Sequence, residues 1–203
     1  MPKNIIPKDT RYIPFTQQKT CCALACISMV MYKRGIPLLP QELLGYHLGL
    51  IIDPANKALF WHARTGAKPS TGYGTQMTLK KFNPNVIFKK LRIPLETRIT
   101  PINTFKTKTD LMNFIARSIE QDNDILVCLN HSVLCNNNKN TGHFCVVDRI
   151  FPSKNQIRLI DPSPDCPKWK IVKIDLLIKA MKLHPNDNGN VWEVTKKTIH
   201  GTI

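Results

Sequence analysis

From Cys22 to Lys33 the chain is apolar at nearly every position before its closing lysine, Ser28 being the exception. A half-exposed helix shows an apolar stripe and a polar face, so this run predicts a helix buried on most sides. Gly35 and Pro37 stop it. Pro40-Gln41-Glu42-Leu43-Leu44 opens a shorter helix to about Leu48, with Pro40 suited to a first helical position. Residues 51 to 75 mix polar residues with Gly66, Pro69, Gly72 and Gly74 and read as a long loop or insertion. A short helix is expected over Thr75 to Phe82, and strands over Val86 to Leu91 and Thr97 to Thr100.

The second half has a clearer period. Thr107-x-x-Asp110 has the form of a capping box, and Leu111, Phe114, Ile115 and Ile119 follow at helical spacing to about Glu120. Ile125 to Leu129 reads as a buried strand, and Gly142 to Ile150 and Gln156 to Ile160 as two more, joined by a turn over 151 to 155. A helix over Asp175 to Leu183 and a last strand over Val191 to Val194 complete the pattern. Helices followed by mostly antiparallel strands predict an α+β fold. With no internal repeat and no linker, residues 1 to 203 are expected to form one domain.

Composition narrows the class. A hydrophobic share of 42% and a charged share of 21%, without biased tracts, exclude a disordered, collagenous or coiled-coil chain. Met1 to Phe15 holds no continuous apolar run, and the most apolar segment, Cys21 to Tyr32, is far shorter than the ~20 residues of a membrane-spanning helix. A cytoplasmic protein without a Sec signal or a membrane span is therefore expected. Seven cysteines, an odd number, suggest free thiols in a reducing compartment. The net charge is +15, and residues 51 to 110 hold eleven Lys and Arg against Asp53, Glu96 and Asp110. Such a stretch could attract an acidic peptide or partner, but nothing in its pattern marks a nucleic-acid binder, so it also reads as a solvated face.

Cys21 and Cys22 stand at the start of the buried helix, where unpaired N–H groups and the helix dipole favour thiolate over thiol. Cys26, one turn on, reads as a small hydrophobe. Of the histidines at 47, 62, 131, 143, 184 and 200, only His143 lies inside a convincing strand, beside Gly142, whose lack of a side chain lets another group approach. If Ile150 pairs with Gln156, Cys145 faces Asp161, and Asp161 falls on the face of His143 one diagonal step away. Asp148, an odd number of residues from His143, points to the other face. A thiol of lowered pKa, an imidazole and an orienting carboxylate are the parts of thiol catalysis. Gln17 or Gln18, just upstream of the helix, could supply a side-chain donor to an oxyanion.

Three blocks carry a resemblance. Gln17 to Val30 (QQKTCCALACISMV), Gly142 to Val147 (GHFCVV) and Leu159-Ile160-Asp161-Pro162 resemble the papain-like cysteine peptidases, in particular the bacteriocin-processing, double-glycine leader peptidase branch and its stand-alone relatives. Gly74-Thr75 resembles the start of that family's third helix. The resemblance implies a papain-like fold, with the cysteine helix packed on an antiparallel sheet carrying His143 and Asp161 and a cleft between them. It implies Cys22 as nucleophile, His143 as general base and acid, Asp161 as orienting group and Gln17 as oxyanion donor. Ala23 stands where relatives usually have glycine, and the Gln17 to Cys22 gap is one residue short, so Gln18 and Cys21 stay alternatives for those two roles. The implied activity is hydrolysis of a peptide bond through an acyl-enzyme, without a cofactor. Many leader peptidases of that branch are fused to transporters; no such segment is read here, so a different substrate is expected. The same machinery serves amidases, deamidases, transglutaminases and acyltransferases. Two other classes stay open: a catalytically silent basic binding protein, and a metal-binding module using Cys21, Cys22, Cys26, Cys135, His143 and Cys145, whose spacings match no familiar zinc pattern.

Overall fold

The computed structural model describes residues 7–70, 72–135, 140–185 and 189–197. The first helix, α1, spans Cys22–Lys33, and α2 spans Gln41–His47 with Pro40 as its N-cap rather than its first residue. The insertion is more structured than its composition suggests. Ile51–Ile52 (β1) and Arg64–Thr65 (β2) form a small parallel pair around a 3₁₀ turn at Pro54–Leu59.

Two expectations for the next segment fail. Thr75 to Phe82 forms only a 3₁₀ turn at Lys80–Phe82, and Gly74 pairs with Ile51 instead of opening a helix. Pro84–Lys90 is a helix, α3, not a strand. Its apolar Val86-Ile87-Phe88 favours strand by side-chain type, but Asn83 caps the first turn by accepting from Asn85 N at 3.0 Å, and Pro84 presets the helical backbone.

Leu95–Pro101 (β3) follows, then α4 (Lys108–Glu120) and β4 (Asp124–Asn130). Both halves of the α4 capping box form: Thr107 Oγ1 accepts from Asp110 N at 3.1 Å, and Asp110 Oδ2 accepts from Thr107 N at 2.8 Å. A short helix, α5 (His131–Cys135), leads towards β5 (Gly142–Phe151), and β6 is Gln156–Ile160. β7 (Trp169–Lys173), α6 (Ile174–Lys182) and β8 (Asn190–Lys196) complete the described elements.

Six strands form one antiparallel sheet in the order β3-β8-β4-β5-β6-β7. The fold is α+β, and both faces of the sheet are covered. Leu126, Phe144, Val146, Ile160 and Trp192 pack with α1, α2 and α3, whereas Ile125, Val127, Val147, Leu159 and Val191 pack with α4 and α6. Strands buried on both sides carry no polar alternation, which is why β4 is apolar at consecutive positions.

The β5–β6 register departs from the simple hairpin in a way that restores the expected site. Ile150 pairs with Ile157 and Phe151 with Gln156, one residue off the expected pairing. An irregularity at Asp148 then absorbs one residue, so Val147 pairs with Leu159 and Val146 with Ile160, as a hairpin pairing Ile150 with Gln156 requires. Asp148 is fully buried at this bulge, where it accepts from Thr10 Oγ1, Arg11 N and Arg158 Nε. Its carboxylate anchors the segment before α1 and takes no part near His143. No helix among the described residues is long and apolar enough to cross a membrane.

Candidate active site

Cys22 is the first residue of α1, with Cys21 as N-cap and Thr20 held at φ 61° in the turn before it. His143 sits at the start of β5, opposite Leu129 of β4. Asp161 is the residue immediately after β6, where its N–H still donates to Lys168 O at 2.9 Å. The register of the sheet therefore brings the imidazole to the carboxylate, and packing of α1 on β5 brings the thiol to the imidazole.

His143 Nε2 lies 2.7 Å from Asp161 Oδ1, and both side chains are buried. Donation from Nε2–H to the carboxylate selects the tautomer in which Nδ1 is the basic nitrogen. The Cys145 thiol lies beside the imidazole, in a group with Asp161 whose ligand atoms are all within 4.8 Å of one another, and the Cys22 thiol is near enough to interact with the ring electrostatically. Oδ1 accepts in addition from Ser163 N at 2.8 Å.

Electrostatics distinguish the two thiols. For Cys22, burial pushes the pKa up, but the hydrogen bond and positive charge of His143, with backbone hydrogen bonds at Phe144 and Ala23, outweigh it and bring the thiol below its ordinary value. Cys145 lies in the core at 0% exposure, and burial with the nearby Asp161 charge pushes its thiol up to about 11. His143 moves in the opposite sense to Cys22. Burial lowers it, yet the hydrogen bonds to Asp161, Cys145 and Cys22 raise it well above the usual imidazole range. Asp161 is driven well below the usual carboxylate range because His131 and His143 outweigh its burial. This is the pattern of a thiolate–imidazolium pair backed by a carboxylate.

The remaining sequence candidates separate clearly. Cys21 is buried, and desolvation and the neighbouring Cys22 push its thiol far up. Cys26 packs in the core with its Sγ 3.4 Å from Phe144 O, as a small hydrophobe would. Gln18 is exposed, whereas Gln17 is half-buried and donates its backbone N–H to Pro162 O at 2.9 Å. That bond ties the segment before α1 to the strand end carrying Asp161. The group that approaches Gly142 is His184, whose ring stands where a side chain would project. His200 lies outside the described residues.

Two expectations about cysteine are corrected. Cys135 and Cys166 are joined as a disulfide, leaving Cys21, Cys22, Cys26, Cys128 and Cys145 as free thiols. The six residues of the metal-binding module do not assemble: Cys135 gathers with His131, Cys166 and Asp161, and His143 and Cys145 share Asp161 from another side. The missed cluster left a signal in the sequence, since His131 and Cys135 are four residues apart, one helical turn.

Compared with protein-family models and with curated proteins, the chain matches none.

Proposed function

We propose that the protein is a cysteine peptidase, or a closely related thiol amide hydrolase, with a papain-like fold and peptide substrates. The observation that supports this reading is the buried 2.7 Å hydrogen bond between His143 and Asp161, with the Cys22 thiol at the start of α1 close enough for the imidazole to lower its pKa. The Cys22 thiolate attacks the carbonyl carbon, and the oxyanion is received by the Gln17 side-chain amide and the Cys22 backbone N–H. The tetrahedral adduct collapses as His143 gives its proton to the leaving amine. Water, deprotonated by His143, then attacks the thioester, releases the carboxylic acid and restores the thiol. Asp161 holds the imidazole in the required tautomer throughout.

Lys80, Lys81, Lys89 and Lys90 are all exposed on the 3₁₀ turn and α3, which favours an acidic peptide as substrate or partner. Five of the seven cysteines are free thiols, which favours a cytoplasmic setting, whereas the Cys135–Cys166 disulfide runs against it.

Brief treatment with limiting iodoacetamide near pH ~6, well below the ordinary thiol pKa of ~8.5, followed by peptide mapping, tests the pair. Selective alkylation of Cys22, lost in His143→Ala, is expected. Even labelling of several cysteines overturns the assignment. Release of new amino termini from a mixture of acidic peptides, abolished in Cys22→Ser, then separates a hydrolase from a silent binding protein.

A further inference from the structure

Beside the Cys22–His143 pair lies a second cluster, which shares Asp161 with it and whose other three members the thiol chemistry does not use. His131, Cys135, Cys166 and Asp161 each offer one ligand-type atom, and these four atoms all lie within 4.8 Å of one another. We propose that these four side chains, with Cys135 and Cys166 reduced, form a four-coordinate zinc site.

The donor chemistry fits: two thiolates, one imidazole and one carboxylate are the groups that bind zinc tetrahedrally. The spacing fits as well. Bond lengths of ~2.3 Å to sulfur and ~2.0–2.1 Å to nitrogen or oxygen put the edges of a zinc tetrahedron at roughly 3.3–3.8 Å. His131 Nε2 lies 3.2 Å from Cys135 Sγ, 3.5 Å from Cys166 Sγ and 3.6 Å from Asp161 Oδ2, and that oxygen lies 3.9 Å from Cys135 Sγ. One N–H can donate well to only one of these three atoms, whereas a cation among them satisfies all four groups at once. The remaining edge, between the two sulfurs, is closed here as the disulfide; a thiol reductant supplying two electrons and two protons opens it to the dithiol, and an external disulfide accepting them closes it again, so disulfide and metal are alternative states of one site.

The surroundings complete the coordination shell. The other oxygen of Asp161 is already held by His143 Nε2 and Ser163 N, which leaves Oδ2 for the metal. Two thiolates and a carboxylate around a dication leave one negative charge, and Lys170 Nζ stands 3.1 Å from Cys135 Sγ to balance it. Bound zinc would fasten α5 to the segment after β6, and so fix the carboxylate behind His143. The metal site does not depend on the hydrolase reading, and its readouts contain no turnover.

The test uses the full chain, purified with reductant, stripped of metal and given stoichiometric zinc or cobalt(II). One zinc per chain is expected to survive desalting, and cobalt should give tetrahedral d–d bands with a thiolate-to-cobalt charge-transfer band. The double variant Cys135→Ser, Cys166→Ser should lose both signals, and Cys22→Ser should keep both. Failure of the reduced wild-type chain to retain either metal, or retention undiminished in the double variant, overturns the proposal. So does a 135–166 disulfide found by mapping in the reductant-purified protein. Should the double variant fail to fold, the cobalt spectrum of the unaltered chain decides alone: a spectrum without the charge-transfer band overturns the site.

Discussion

Two thiols lie near one imidazole, and only one of them, Cys22, sits at a helix start within reach of solvent. Cys145 is sealed in the core and pushed up to about 11, while His143 and the backbone bonds at Phe144 and Ala23 outweigh burial at Cys22. The direction of that shift sets a pH dependence. Alkylation follows the thiolate fraction, so its rate in the wild-type chain should rise to its plateau with a midpoint below ~8.5. In His143→Ala the hydrogen bond and the charge are gone and burial remains, so the midpoint should move above that value. A midpoint unchanged by the substitution would show that His143 does not govern the thiol. Gln17 is tested separately because alkylation needs no oxyanion donor. Gln17→Ala should lower peptide turnover by about 10²–10³ while leaving Cys22 alkylation intact, and Gln18→Ala should do neither; the reverse result would exchange the two glutamines.

Short elements are fixed here by side chains that copy backbone hydrogen bonds. Asn85 of α3 accepts from Thr97 N at 2.7 Å and donates to Thr97 O at 2.9 Å, docking the helix on the outer strand β3. Asn85→Ala leaves both backbone groups without that partner and should destabilise the protein by about 1–3 kcal/mol, read as a lowered denaturation midpoint; no change would mean that water replaces the amide. This docking also explains where sequence reading stops. Residues 86 to 88 favour strand by type and, in the sequence, outweigh the local helix signals of Asn83 and Pro84, while the Asn85–Thr97 contact that reinforces the helix is not local. The long segments were legible because packing and pattern agree: the continuous apolar run became α1, and the capping box became the start of α4. The approach of His143 to Asp161 was legible despite an incorrect turn pairing, because the bulge at Asp148 cancels the one-residue offset. β7 and α5 were not legible. β7 is an edge strand with two lysines, Lys170 and Lys173, and a single buried residue, and α5 is too short to show a period. The meeting of His131 and Cys135 with Cys166 went unread because it joins α5 to the loop between β6 and β7, segments far apart in sequence, and the one local sign of it is the four-residue spacing of His131 and Cys135.

At the scale of the molecule, the thiol can meet the imidazole only if α1 stays in place along its whole length on the sheet. Its far end is held by Asp124, fully buried at the start of β4, which accepts from Tyr12 Oη, Lys33 Nζ and Arg34 Nε, each at 2.6 Å. Three segments distant in sequence meet at that carboxylate, and Arg34 reaches on to Asp122 as well. Asp124→Ala leaves Lys33 and Arg34, among the described residues, only the exposed Asp122 as a carboxylate partner and deprives Tyr12 Oη of its acceptor, and should cost about 1–3 kcal/mol, with the melting temperature as the readout. Cys22 alkylation well below that temperature should be little changed, because the damage lies at the opposite end of the helix; loss of selective labelling would show that α1 shifts as a unit. The positive charge acts over a longer range still. Lys80, Lys81, Lys89 and Lys90 stand in solvent, so their field on a ligand is screened over ~10 Å at 0.1 M salt. Replacing all four by glutamate should lower kcat/KM for an acidic peptide, leave a neutral peptide nearly unaffected, and lose its effect as salt rises. An equal loss for both peptides would indicate structural damage, and no loss for either would leave these lysines as a solvated face without a part in recognition.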